Sequence, residues 1–431
     1  MEEQAVRDAT ATYSVKTGAV SAEDVLPGYK RTEVGVIPED WSIAQLKDLV
    51  EFLDSQRRPV KASDRAKMTG IYPYYGASGI VDYVNDYLFD EDLILLGEDG
   101  ENILSRNLPL AFQVSGKIWV NNHAHVLRPS RRTDIVFLTE YLEAQDYSER
   151  NSGTAQPKLN RATCAKIPIA LPAIQEQRAI ATALSDADAL IESLDRLIAK
   201  KSAIKQAAMQ QLLTGQTRLP GFTGEWKAKR LGEIGTFYKG QGIRRDDVSD
   251  EGVPCIRYGE IYTRYSDCVI APESRISESV SESAFPLRSG DILFAGSGET
   301  AEEIGMCVAY LGEQPAFAGG DIVVLRPNGG ISAYLGRLLN HPTIAQQKAR
   351  LGQGDAVVHI SARNLAQIEV HLPNPEEQTA IATILSDMDT EIETLEHRRD
   401  KARQIKQGMM QQLLTGRVRL VAPHITEPVA C

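Results

Sequence analysis

At 431 residues the chain can form two or three domains with separate cores, and its 42% hydrophobic and 24% charged content is that of an ordinary globular protein. No run approaches the ~20 apolar residues of a membrane helix, and the cysteines (Cys164, Cys255, Cys268, Cys307, Cys431) form no CxxC pair, which excludes a zinc ribbon or disulfide scaffold and fits a reducing cytoplasm. The net charge of −11 speaks against a uniformly basic surface, so any phosphate binding would rest on local clusters.

Residues 1–27 read as a polar extension without the basic-then-apolar pattern of a signal peptide. Residues 28–160 mix short apolar runs with turn residues, as in "DLILLGEDG" (Asp92–Gly100), a strand running into a glycine turn. Residues 161–220 bring a strand, "IPIALP" (Ile167–Pro172), and then a long helix. Ile180, Leu184, Ala187, Ile191, Leu194 and Ile198 step by four and three along it, the spacing of a coiled-coil seam. From about Gln175 to Leu213, a rise of 1.5 Å per residue predicts a rod of roughly 58 Å.

The same plan then repeats. Residues 221–360 form a second mixed segment with its own strand-to-glycine turn, "DILFAGSGE" (Asp291–Glu299), and 361–420 a second strand and helix, before a tail at 421–431. "MQQLLTG" occurs at Met209–Gly215 and at Met410–Gly416, an offset of 201. At that offset "EQRAIATALSDADALIESL" (Glu176–Leu194) lies on "EQTAIATILSDMDTEIETL" (Glu377–Leu395) without a gap. The second seam is Ile381, Leu385, Met388, Ile392 and Leu395, continuing to Arg399 and Ala402. Upstream, Trp41 corresponds to Trp226, and "VLRP" recurs at Val126–Pro129 and Val324–Pro327. Each half is thus a variable globular segment followed by a nearly fixed helix, with Gly215 and Gly416 placed to cap it.

Both helices are acidic early (Asp186, Asp188, Glu192; Asp387, Asp389, Glu391) and basic late (Lys200, Lys201, Lys205; Arg398, Arg403, Lys406). That order suits the helix dipole and antiparallel self-pairing of the two helices. Ile180, Leu184, Ile191, Leu194, Ile381, Leu385, Ile392 and Leu395 are the expected pairing residues.

Nothing in the sequence marks a catalytic centre. There is no GxxxxGK[ST] phosphate loop, "KGQGIRR" (Lys239–Arg245) stops short of GxGxxG, and neither "GASG" (Gly76–Gly79) nor "AGSGE" (Ala295–Glu299) is a nucleophile elbow. "HAH" (His123–His125) has metal-pair spacing, but no third ligand cluster accompanies it and the second half has Asp321 and Val323 there, so no metal is expected. Nucleic-acid chemistry is better represented. "SQRRPVKASDRAKMTGIYPYYGASG" (Ser55–Gly79) and "CIRYGEIYTRY" (Cys255–Tyr265) interleave Arg and Lys, which neutralise phosphates and read guanine edges, with tyrosines.

"GYKRTEVGVIPEDW" (Gly28–Trp41), "IPIALPAIQEQRAIATAL" (Ile167–Leu184) and "MQQLLTGQTRLPGF" (Met209–Phe222) together resemble the specificity subunit of type I restriction–modification systems, and "YPYYGASGIVDYV" (Tyr72–Val84) resembles one class of its target-recognition domains. The resemblance covers nearly the whole chain from Gly28; Asn374 and Pro375 depart from the usual apolar pair, and residues 1–27 lie outside it. It implies an α/β (α+β) chain with two similar target-recognition domains separated by two long antiparallel coiled-coil helices in a pseudo-two-fold repeat. Such a subunit performs no chemistry. Each domain reads one half of a bipartite asymmetric DNA target, and the helices set the spacer and dock the methyltransferase (M) subunits, which the restriction/translocase (R) subunits join. S-adenosylmethionine, ATP and Mg belong on those partners. The expected DNA-binding residues are Arg57, Arg58, Lys61, Tyr74, Tyr75, Asn121 and His123 in the first domain, and Lys239, Gln241, Arg244, Arg245, Arg257, Tyr258 and Arg264 in the second. The loops Arg150–Lys158 and Leu351–His359, at equivalent positions, are further candidates. The competing expectation is a coiled-coil scaffold that joins protein partners without reading DNA.

Overall fold

Between Ile174 and Leu212 the sequence contains neither glycine nor proline, and all 39 residues form one helix. Its repeat, Pro375–Leu413, is also 39 residues long and has proline in its first turn, where the missing N–H costs nothing. Asn374, one of the two departures from the usual pattern, caps this helix: its side-chain oxygen accepts from the Glu377 amide at 2.8 Å. The computed structural model describes residues 25–153, 156–354 and 357–422. The N-terminal extension up to residue 24, the tail from 423, and positions 154, 155, 355 and 356 in the two candidate loops lie outside them.

Contacts divide the chain into two compact units, 1–194 with 398–431, and 195–397. Each unit therefore takes the start of one long helix and the end of the other. In the first, Ile180 and Leu184 share a core with Met410, Leu413 and Leu414; in the second, Leu212 and Leu213 share one with Ile381 and Leu385. Start packs against end both times, so the helices are antiparallel. Leu194 and Leu395 are buried, whereas Ile191 and Ile392 are half-buried.

In the first unit an antiparallel sheet runs in the order Val50–Phe52, Ala124–Pro129, Leu93–Gly97, Ala111–Val114. Leu93–Gly97 is buried along its whole length, so it carries continuous apolar residues rather than an alternating pattern. A second sheet runs Ile80–Val84, Thr69–Tyr75, Lys117–Val120, Phe89–Asp90, its central pair parallel. The helix Ile135–Glu143 starts at Asp134, whose carboxylate accepts from the Val136 and Phe137 amides.

The second unit repeats this plan with an extra strand per sheet. One sheet runs Gly235–Lys239, Ile322–Pro327, Ile292–Ala295, Cys307–Tyr310, Cys268–Val269; the other runs Val248–Ser249, Ser274–Ile276, Val253–Ile256, Phe317–Ala318, Phe285–Pro286. Ser332–Asn340 is the counterpart of Ile135–Glu143. In both units the strand before the long helix pairs with the strand beside the repeated tryptophan: Pro168–Leu171 with Ser42–Gln45, and Glu369–Leu372 with Lys227–Arg230. Among the described residues no helix is long and apolar enough to cross a membrane, and no group of three His, Cys, Asp or Glu could hold a metal.

Candidate nucleic-acid interface

The two sheets of the first unit meet where their strands end, and backbone bonds fix that corner. The Asn121 amide donates to the Tyr75 carbonyl at 3.1 Å, the Glu98 amide to His123 at 2.8 Å, and the Leu159 amide to Glu98 at 2.7 Å. The second unit closes in the same way: Gly319 donates to Ile256 at 2.9 Å, Gly296 to Asp321 at 2.7 Å, and Ile360 to Gly296 at 3.0 Å. Asn121 thus corresponds to Gly319, Glu98 to Gly296, and Lys158 to His359. The loops before both long helices end at these corners.

Side chains finish the two corners differently. In the first unit His125 is 1% exposed; its Nδ1 meets Asp54 Oδ2 at 2.8 Å and its Nε2 the Leu159 carbonyl at 2.8 Å. Both partners can only accept, so both ring nitrogens carry hydrogen and the ring is an imidazolium. Burial opposes that charge, but Asp54 and Cys164 beside the ring outweigh it and push the His125 pKa up to about 10. Burial likewise pushes the Asp54 carboxyl up, and the His125 cation more than reverses this. Arg57 joins the network, donating to Glu98 at 2.7 Å and to the Ala124 carbonyl at 2.7 Å; Lys158 reaches Glu98 at 3.3 Å. On the outer side His123 meets Asp99 at 2.8 Å.

The second corner has Val323 where the first has His125, and there Ser297 Oγ meets His359 Nδ1 at 2.9 Å. Tyr262 Oη donates to the Ser297 carbonyl at 3.1 Å. Glycine is required because the backbones approach so closely: a Cβ on Gly240 would lie 2.1 Å from the Gly319 carbonyl oxygen.

The expected reading residues fall into two groups. Arg58, Lys61 and His123 in the first unit, and Lys239, Gln241, Arg244, Arg245, Tyr258 and Arg264 in the second, are exposed. Of these, Lys239 and Gln241 stand at the second corner beside half-buried Arg257, whose guanidinium pairs with buried Glu260 at 3.1 Å. Arg264 pairs instead with Glu273 at 2.9 Å. The other group is built into the domain. Tyr74 is 1% exposed and stacks on Trp119, Asn121 is buried with its side-chain oxygen accepting from the His123 amide, and half-buried Tyr75 lies against Phe112. Arg57 is held by the network above. The partners named for Tyr74, Tyr75 and Arg57 are 37 to 67 residues away in sequence, so nothing local distinguishes these three from exposed neighbours. "HAH" likewise splits, one imidazole to Asp99 and the other to Asp54. Glu98, Asp99, Lys158, Ser297 and His359 complete the corners without having been singled out, although the glycine turns and loops that carry them were.

A clamp repeated in both units explains the basic residue after each "MQQLLTG". Arg419 grips both oxygens of buried Glu176 and both of Asp40, with its guanidinium 5.9 Å from the Trp41 ring. Arg218 grips both oxygens of Glu377 at 2.6 Å, 5.7 Å from Trp226. Gly416 has φ +68°, and a Cβ there would lie 2.5 Å from Pro38; Gly215 has φ +70° beside Trp226. The second heptapeptide thus packs on the tryptophan of the first half, and the first on that of the second.

The sequence profile described as type I restriction modification DNA specificity domain matches this chain twice, over residues 38–200 and 223–404. A putative type I restriction enzyme specificity subunit of Haemophilus influenzae, S.HindORF215P, is 27% identical, covering 80% of this chain and 86% of its own length. The specificity subunit of the MjaVIII enzyme of Methanocaldococcus jannaschii is 23% identical, covering 89% and 94%. In fold the chain is similar to the crystal structure of an S subunit from M. genitalium, with a TM-score of 0.58, 16% identity, and 86% and 96% covered.

Proposed function

Because the chain belongs to the type I restriction modification DNA specificity family and carries the family's domain twice, we propose that each unit reads one half of a bipartite, asymmetric DNA target through its corner. The observation that carries this reading is the pair of corners, built on equivalent backbone bonds but finished with different side chains. One frame used twice with different chemistry suits two unlike half-sites.

In this reading the chain performs no chemistry and acts in the cytoplasm. Exposed Arg and Lys hold phosphates, the corner side chains read base edges, and the long helices carry the methyltransferase subunits and set the spacer. Restriction/translocase subunits complete the assembly, and S-adenosylmethionine, ATP and Mg bind on the partners.

Methylome sequencing of the host with and without this gene, the methyltransferase being expressed, tests the reading. One bipartite motif should lose methylation; if none does, the scaffold reading takes its place. Inserting seven residues within Leu184–Leu213 should then change the spacer and leave both half-sites intact. Altered half-sites would show that reading and spacing are not separate.

A further inference from the structure

Asp188 and Lys406 in the first unit correspond, at the offset of 201, to Asp389 and Lys205 in the second. Each pair bridges the two long helices: Lys406 Nζ meets Asp188 at 2.8 Å, and Lys205 meets Asp389. Each pair also receives one side chain from the short helix that follows the "VLRP" strand. In the first unit it is an acid: Glu140, on Ile135–Glu143, accepts from Lys406 at 3.0 Å. In the second it is a base: Arg337, on Ser332–Asn340 and 3% exposed, donates to Asp389 at 2.7 Å and to Ser386 Oγ at 3.1 Å.

One couple on the helices therefore meets domain side chains of opposite charge. The acid takes the lysine and the base takes the aspartate, while the remaining member of the couple keeps its partner across the helix pair. Neither side chain is fully satisfied: Glu140 Oε2 and Arg337 Nε are both buried without a partner. Such a fit is not optimised for one sign.

We propose that the aspartate–lysine couple is a two-signed socket, which seats a recognition domain through whichever charge its short helix presents, with Glu140 and Arg337 as the positioning residues. A frame so equipped can hold domains of unlike sequence without changing itself. The inference concerns how the domains are held and stands apart from what they read; its test uses no DNA.

Hydrogen exchange on the full chain, followed in peptides covering 135–143 and 332–340, reads the seating directly. Glu140→Arg alone should change exchange of 135–143 by less than about 3-fold, because Asp188 receives the new cation; with Asp188→Asn added, exchange should rise by about 10-fold or more, well beyond the product of the single changes. Arg337→Glu should behave likewise on 332–340, tolerated with Lys205 present and disruptive with Lys205→Met. A merely structural role would make each reversal equally damaging in both backgrounds. That outcome, or outright unfolding of Glu140→Arg while Glu140→Gln folds, overturns the socket.

Discussion

The two corners share a frame and differ in how they are filled. In the first, a buried imidazolium ties Asp54 on one side to Leu159 at the end of the loop before the long helix, with Arg57, Glu98 and Lys158 around it. In the second, the position of His125 is held by Val323, and the loop is tied by Ser297 and His359. Yet the three backbone bonds that close each corner are equivalent. Main-chain pairing fixes where the corner is, and the side chains are then free to carry either a buried imidazolium network or a serine–histidine bond. A reader of unlike half-sites needs that separation.

The difference is broken most severely by giving the first corner the second corner's residue. His125→Val takes from the Asp54 carboxylate the cation that meets it at 2.8 Å, a loss of the kind that costs about 3–5 kcal/mol. Hydrogen exchange of Leu93–Gly97 should accelerate strongly, while Ile292–Ala295 in the other unit stays protected. If both strands respond alike, the network is not local to the first unit. The reverse change, Val323→His, places an imidazole where no Asp54 counterpart waits and should destabilise the second unit.

Alkaline pH breaks the same contrast without mutation. The pKa of His125 in the fold is raised to about 10, above its ordinary value of 6.5. A raised pKa means that the stability it contributes is fully present below the unfolded value and is lost as pH rises through the folded one. Stability of the first unit should therefore fall between pH 7 and about 10, more steeply than that of the second. The His125→Val chain should lack this slope; a slope that persists there belongs to another group.

The expected DNA contacts sharpen the comparison at the next level. Removing one phosphate-bound cation should lower affinity for every sequence and reduce the salt slope by about 1, whereas losing a base-reading side chain should relax one position of one half-site by about 1–3 kcal/mol. Arg58→Ala tests the first corner and Lys239→Ala the second, in the assembled methyltransferase with both half-sites varied. As exposed cations both should weaken binding uniformly; if Arg58→Ala instead changes base preference in the half-site whose preference Lys239→Ala also changes, the assignment of one half-site to each unit is contradicted.

How much of this was legible depended on the range of the interaction that decides it. The helices, their seam and the punctuating glycines follow from local pattern, and the repeat shows itself by comparison within the chain. Asn374 and Pro375 looked like departures, although Asn followed by Pro is a good helix start. What the sequence could not show was long-range pairing. Arg57 resembles Arg58, but Glu98, 41 residues on, takes it into the structure. Tyr74 resembles its neighbours until strand alternation turns it inward onto Trp119. Likewise, that each heptapeptide serves the tryptophan of the other half requires knowing which helix end meets which helix start.

That exchange leaves one small asymmetry, and it supplies the finest test. Trp41 Nε1 donates to Glu176 at 3.0 Å although Arg419 also holds both oxygens of that carboxylate, whereas Trp226 Nε1 is buried with no partner. Replacing either indole by phenylalanine also loses packing, more at Trp41, which is 1% exposed, than at half-buried Trp226. The nitrogen adds to that difference. Trp41→Phe deprives a buried carboxylate of a donor, but Trp226→Phe removes a donor that was already unsatisfied and recovers its desolvation cost. Trp41→Phe should therefore cost about 1 kcal/mol more than Trp226→Phe, read as protection of Pro168–Leu171 against Glu369–Leu372 in the two chains. Equal losses would mean that the Trp226 nitrogen finds a partner in solution, such as a bound water, and that the two clamps are energetically the same.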